Sequence, residues 1–148
     1  MSAPEDEFDV AALFARIPYA GFLGITGKPQ DGALLMRMAF SDHLIGNPTI
    51  PALHGGTIGA FMELTAIAEL ARKHEGRLSK TIGVTVEYLR SGRARDTFAR
   101  AEVKRMGRRI ANVRVEAWQE DPAKPIAALY GNYMLPHAAE PDPTEAEA

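Results

Sequence analysis

Cysteine is absent from the 148 residues. That excludes disulfides, thiolate metal sites and a cysteine nucleophile together, and it fits a reducing, cytoplasmic compartment. The serines are only Ser2, Ser41, Ser79 and Ser91, and none stands in the G-x-S-x-G setting of a nucleophile elbow. Neither G-x-x-x-x-G-K-[ST] nor G-x-G-x-x-G occurs. No spacing of His54, His43, His74 or His137 with the acids resembles a metal site. The N-terminus is acidic (Glu5, Asp6, Glu7, Asp9) and lacks the basic start and apolar run of a secretory signal. Nor is there an apolar run of about 20 residues with few or no charges, which a spanning helix needs, so no membrane partner is expected.

Charge is unevenly spread. The net charge is −2, yet residues 72–114 hold 13 of the 17 Lys and Arg against four acids, Glu75, Glu87, Asp96 and Glu102. A basic middle on an acidic chain favours a small anionic ligand over nucleic acid, which suits an overall basic domain. Only Tyr88 and Phe98 interleave the arginines, too few for base stacking, so no nucleic-acid partner is expected. Any single arginine there reads equally well as part of a solvated strand face.

The organising stretch is Leu53 to Glu75, LHGGTIGAFMELTAIAELARKHE. It opens on His54-Gly55-Gly56, and from Thr57 to Ala71 its only charges are Glu63 and Glu69. Such a segment predicts a buried central helix. Arg72, Lys73 and His74 suit the negative end of its dipole, and Gly76 suits the stop. Glu63 stands out, because a buried carboxylate must be paired or have its pKa raised. Gly59 and Gly56 lie one and two turns before it and leave a shallow channel. The N–H groups of the Gly55-Gly56 turn would stabilise an oxygen carrying developing negative charge. A carboxylate and an oxyanion site together suit hydrolysis. A Glu satisfied within the core, beside glycines kept for close packing, accounts for the same residues.

Around this helix the chain predicts an α+β domain over residues 1–136. Residues 8–17 read as an N-terminal helix ended by Pro18, and Gly21 and Gly24 break the next few residues. A strand beginning at Ile25 turns at Pro29-Gln30-Asp31-Gly32 into a strand over 33–40, and residues 41–51 are irregular. After the helix come strands over 81–90, 97–106, 111–117 and 126–135. In the first of these, Ile82, Val84, Val86 and Tyr88 alternate with Thr81, Gly83, Thr85 and Glu87. Gly107-Arg108 and residues 121–125 make the turns. Residues 137–148 read as a disordered acidic tail. An antiparallel sheet should wrap the helix, and a homodimer sharing the sheet would cover its exposed edge.

With its HGG followed by an acid nine positions after the histidine, the chain resembles the hotdog-fold acyl-CoA thioesterases of the PaaI type. VEYLRSGRARD at 86–96, the Gly107-Arg108 hairpin and a last strand ending LYGNYML match as well. The resemblance spans about residues 20–135. It implies a hotdog fold, homodimers or dimers of dimers (homotetramers), and metal-free hydrolysis of an acyl-CoA. No cofactor is implied beyond the CoA of the substrate. Glu63 would be the general base or the nucleophile, and Gly55 or Gly56 the oxyanion donor. Thr81 would hold the water from the same or the partner subunit, and Asn47 would orient substrate or water. Arg90, Arg93, Arg105 and Arg108 would meet CoA phosphates. Glu replaces the more usual Asp, and the spacer from Asn47 to His54 is one residue longer than the usual pattern. His54 is either a general base or a residue that orders the loop.

Two other functions fit such a scaffold, a hotdog enoyl-CoA hydratase or dehydratase and a non-catalytic acyl-CoA-binding dimer. An apolar acyl group, aryl or medium-chain, suits Phe22, Ile58, Phe61, Met62 and Tyr88, which read equally well as core.

Overall fold

Turn chemistry and a bulge in the edge strand set the part of the sheet that carries the site. The computed structural model describes residues 7–137, so the acidic tail expected at 137–148 lies almost wholly outside the described residues. The expected helix over 8–17 is shorter, α1 (Val10–Phe14), capped by Asp9 accepting from Ala12 N–H. It stops at Phe14, short of Pro18, which was expected to end it; Pro18 instead opens α2 (Pro18–Leu23), since its fixed φ and missing N–H suit the first helical position. Gly21, expected to break the chain, lies inside α2. Gly24, at φ 72°, terminates α2 in the left-handed conformation.

Strand β1 (Ile25–Gln30) runs through Pro29, and β2 (Ala33–Met38) pairs with it. Pro29 is tolerated because β1 is an edge strand. Asp31 (φ 54°) and Gly32 (φ 83°) form the two-residue turn between them, which requires positive φ at both positions. The region expected to be irregular holds a short 3₁₀ turn at Asp42–Leu44 and a small pair, β3 (Ile45–Asn47) with β4 (Ala52–Leu53). Then come α3 (Gly55–Arg72), β5 (Lys80–Tyr88), β6 (Thr97–Met106), β7 (Ile110–Trp118) and β8 (Ala127–Met134).

The six-stranded antiparallel sheet has the order β1-β2-β6-β7-β8-β5. Helix α3 packs across one face, with Phe61, Met62 and Leu70 buried against Met36, Met38, Val113, Val115 and Leu129. Each such side chain contributes about 1.5–3 kcal/mol on burial. Ala99, Ala101, Ala111, Ala117 and Ala127 on the same sheet face are small enough to let the helix approach. A sheet wrapped on one long helix is the hotdog architecture. At its far end α3 is fixed by a buried ion pair, Glu69 with Arg72 at 2.7 Å, their side chains 3% and 2% exposed. Glu69 also accepts from Leu34 N–H, and Arg72 donates to the Gly32 carbonyl. The helix is thereby joined to the β1–β2 hairpin.

Strand β5 is the other edge of the sheet. Its register against β8 slips between Thr81 and Gly83, so that Ile82 is an extra residue. The alternation in the sequence places Thr81 on the face opposite Val84 and Val86. The bulge reverses this: Thr81 pairs with Tyr133 and Val84 with Gly131, so Thr81 joins Val84, Val86 and Tyr88 on the helix face. Ile82 is 53% and Tyr88 55% exposed, because no strand lies beyond β5.

Candidate active site

The start of α3 is shaped by His54. Its N–H donates to the Leu44 carbonyl (2.8 Å), and its Nδ1 accepts from Gly56 N–H (2.8 Å). Thr57 donates through both its N–H and its hydroxyl to the His54 carbonyl. His54 is thus the N-cap, with Nδ1 deprotonated and occupied, and Gly56 N–H is already used. Gly55 N–H has no acceptor among the described residues, and it lies at the positive end of the helix dipole. The glycine channel is displaced from the one expected. A Cβ at Gly55 would lie 3.2 Å from the Tyr88 ring and one at Gly59 3.5 Å from the Tyr88 hydroxyl, whereas Gly56 faces His54. Tyr88 lies along this channel and donates to the Gly55 carbonyl (2.7 Å).

Glu63 is half-buried. The Thr81 hydroxyl of the same chain donates to its Oε1 at 2.9 Å, and its Oε2 has no partner among the described residues. Of the two acids in the helix, Glu69 is therefore the one locked into the core, and Glu63 is the one with an oxygen to spare. Opposite Thr81, the Tyr133 hydroxyl is buried without a hydrogen-bond partner. Burial, and then the Glu63 charge, push its phenol well above the usual 10.0.

Gly55 and Glu63 do not form one site within a chain. They are eight residues apart on α3, which is about 12 Å along the axis. A base attacking a carbonyl and the N–H holding that carbonyl must both lie within hydrogen-bonding range of it.

The other expected residues divide in the same way. Asn47 is the last residue of β3, ahead of α3, its Oδ1 accepting from Thr49 N–H (3.0 Å). Arg90 donates to the Pro125 carbonyl, and the Arg93 backbone is bonded at both N–H and carbonyl by Gln119. These lie at the Tyr88 end of β5, and the neighbouring loop is tied to the helix start by Leu53 N–H donating to Gly92 O. Arg105 and Arg108 line a cavity of about 770 Å³ at the opposite, Lys80 end of the sheet. Arg109, which no motif in the sequence singled out, completes that group. Ladder pairs fix the two ends: Lys80 with Met134 and Ile110 at one, Tyr88 with Ala127 and Ala117 at the other. One end therefore holds Gly55, His54, Asn47, Arg90 and Arg93, and the other holds Glu63, Thr81, Tyr133, Arg105, Arg108 and Arg109. Among the described residues no cluster of three or more His, Asp or Glu is placed to hold a metal ion. No helix among them is long and apolar enough to cross a membrane.

The chain and its fold are similar to those of known proteins. Over 135 residues the chain is 30% identical to the medium/long-chain acyl-CoA thioesterase YigI of Salmonella typhimurium, covering 80% of this chain and 86% of that one. A protein of known structure from Chromobacterium violaceum is 32% identical, with a TM-score of 0.70 over 86% of this chain and 90% of that one. The PaaI protein from the phenylacetic acid degradation operon of Escherichia coli shares the fold at TM-score 0.76 and 18% identity, covering 90% and 94% of the two chains. Residues 51–126, from the approach to α3 through to the start of β8, match the thioesterase superfamily, and the chain belongs to that family, with a hotdog fold of the PaaI type.

Proposed function

We propose that this protein hydrolyses acyl-CoA thioesters carrying medium to long aliphatic chains, with Glu63 as general base. The observation that carries the reading is Glu63 itself: half-buried, anchored through one oxygen by Thr81, and free at the other. A structural acid in this helix looks different, as Glu69 illustrates. The chain-length preference is supported by the relatives in Salmonella typhimurium and Escherichia coli, named medium/long-chain acyl-CoA thioesterases at 30% identity.

The working unit in this reading is a homodimer. Edge strand β5 has unpaired backbone groups and exposes Ile82 and Tyr88, and an exposed apolar edge invites pairing. Pairing β5 with its copy across a two-fold axis runs the strands antiparallel. The Thr81 end of one protomer then lies beside the Tyr88 end of the other. Glu63 of one chain meets Gly55 N–H of the partner subunit, which removes the 12 Å problem. The same operation brings Arg105, Arg108 and Arg109 towards Arg90 and Arg93 of the partner subunit, a basic surround for the CoA phosphates.

In the hydrolytic step, Glu63 takes a proton from water as the oxygen bonds to the thioester carbon. The carbonyl oxygen becomes an oxyanion held by Gly55 N–H of the partner subunit. Collapse breaks the C–S bond, the CoA thiolate takes the proton from Glu63, and the free acid leaves. No cofactor is required. The test is a panel of acyl-CoA thioesters with free-thiol detection, run on the wild type beside Glu63→Gln. The variant should fold and bind but lose about 100-fold or more in kcat. A Glu63→Gln enzyme as fast as the wild type would overturn the reading.

A further inference from the structure

Tyr133 has no part in the hydrolytic step, yet its placement is unusual. It is fully buried, on β8, directly opposite Thr81 on the helix face. Its ring lies over Gly131, where a Cβ would be 2.6 Å from Cε2 and 3.1 Å from the hydroxyl. Ala111, its neighbour on β7, is also small. The sheet thus makes room for a large ring and then leaves its O–H without an acceptor. A phenylalanine would fill the same space with no unsatisfied group, and buried polar atoms without partners are rare enough to need an explanation.

The nearby groups supply one. The Tyr133 hydroxyl lies beside Gly131, two residues along β8 from the Thr81 pairing, and is near enough to Glu63 for the carboxylate charge to act on it, while the Thr81 hydroxyl already reaches Glu63 Oε1. Glu63 Oε2 is an acceptor without a donor, and Tyr133 O–H is a donor without an acceptor. Burial and the Glu63 charge both hold the phenol in its protonated, donating form. Catalytic hydrogen bonds are often long in an unliganded site and tighten only when substrate is bound.

We propose that Tyr133 is a positioning residue, whose buried hydroxyl becomes the second donor to the Glu63 carboxylate when the thioester is bound. Thr81 and Tyr133 then grip one oxygen each and fix the plane of the base, and the oxygen that Tyr133 holds keeps a second lone pair for the water. This rests on the hydrolytic reading of Glu63.

The experiment compares Tyr133→Phe, Thr81→Ala, the double variant and Glu63→Gln on a medium-chain acyl-CoA. Tyr133→Phe should lower kcat about ten- to a hundred-fold, the worth of one charge-assisted hydrogen bond. KM should stay within about two-fold and the thermal midpoint should hold or rise, since an unsatisfied hydroxyl is removed. In the double variant the two losses should not multiply independently, because both act on one carboxylate. Wild-type kcat in Tyr133→Phe, with Glu63→Gln inactive, would overturn this proposal alone. A lower thermal midpoint in step with lower kcat would also overturn it, marking Tyr133 as a packing residue. An active Glu63→Gln would overturn the reading beneath it and this proposal together.

Discussion

Glu63 and Glu69 sit six residues apart on one helix and meet opposite fates. Glu69 and Arg72 are both almost wholly out of water, and Glu69 adds a bond from Leu34 N–H. Removing one member of such a pair strands the other charge, so Glu69→Ala should destabilise the fold by about 3–5 kcal/mol, read as a lower urea midpoint with little change in the slope. Glu63→Gln should leave that midpoint nearly unchanged, because its carboxylate has one partner and partial access to water. In the sequence both acids interrupt the same apolar run. The nine-residue step from His54 singled out Glu63, but nothing local marked Glu69 as the deeper of the two. Its depth comes from packing against the β1–β2 hairpin, more than thirty residues upstream. His54 was open between base and loop-ordering roles, and the Gly56 N–H at its Nδ1 gives it the part of a helix cap.

Among the elements, those governed by local rules were legible and those governed by register were not. The limits of α3 followed from its cap, its basic last turn and Gly76. The bounds of β6, Thr97–Met106, followed from alternation over 99–104 and the Gly107 turn, although its register against β7 also slips between Val103 and Arg105. Strand β5 misled because one inserted residue, Ile82, reverses the facing of everything before it, and a bulge has no signature in alternation alone. That residue is why Thr81 reaches Glu63. A second tie between elements is sensitive to acid. Asp96, just before β6, accepts from Phe40 N–H and then from Arg37 on β2, and these hold its carboxyl below the ordinary 3.8. With the folded-state pKa depressed, its stabilisation is fully present above that value and is lost as pH falls below it through the folded pKa. Asp96→Asn should therefore lower the thermal midpoint near neutrality, and the gap from wild type should narrow as pH falls below the ordinary 3.8.

At the scale of the whole molecule, the residues of the proposed site are divided between two ends of one sheet. Sequence order could bring Glu63 and Gly55 onto one helix, but it could not show that helical rise sets them too far apart. Nor could it show that the arginines fall into two groups. A complementation assay tests the partition directly. Gly55→Pro removes the free N–H while suiting the first helical position, and the half-exposed Tyr88 ring beside it has room to move. Glu63→Gln and Gly55→Pro homodimers should each be inactive. Once subunits are exchanged, the hybrid should regain one intact site, holding Glu63 from one variant and Gly55 from the other. A hybrid as inactive as its parents would place both residues in a single chain.

In the proposed mechanism, the two turns of helix between Glu63 and the Gly55 amide leave a single chain without a complete site. On that mechanism hydrolysis needs two chains together, so specific activity should collapse on dilution below the concentration at which they associate. Newly made protein would leave thioesters untouched until it had found a second copy.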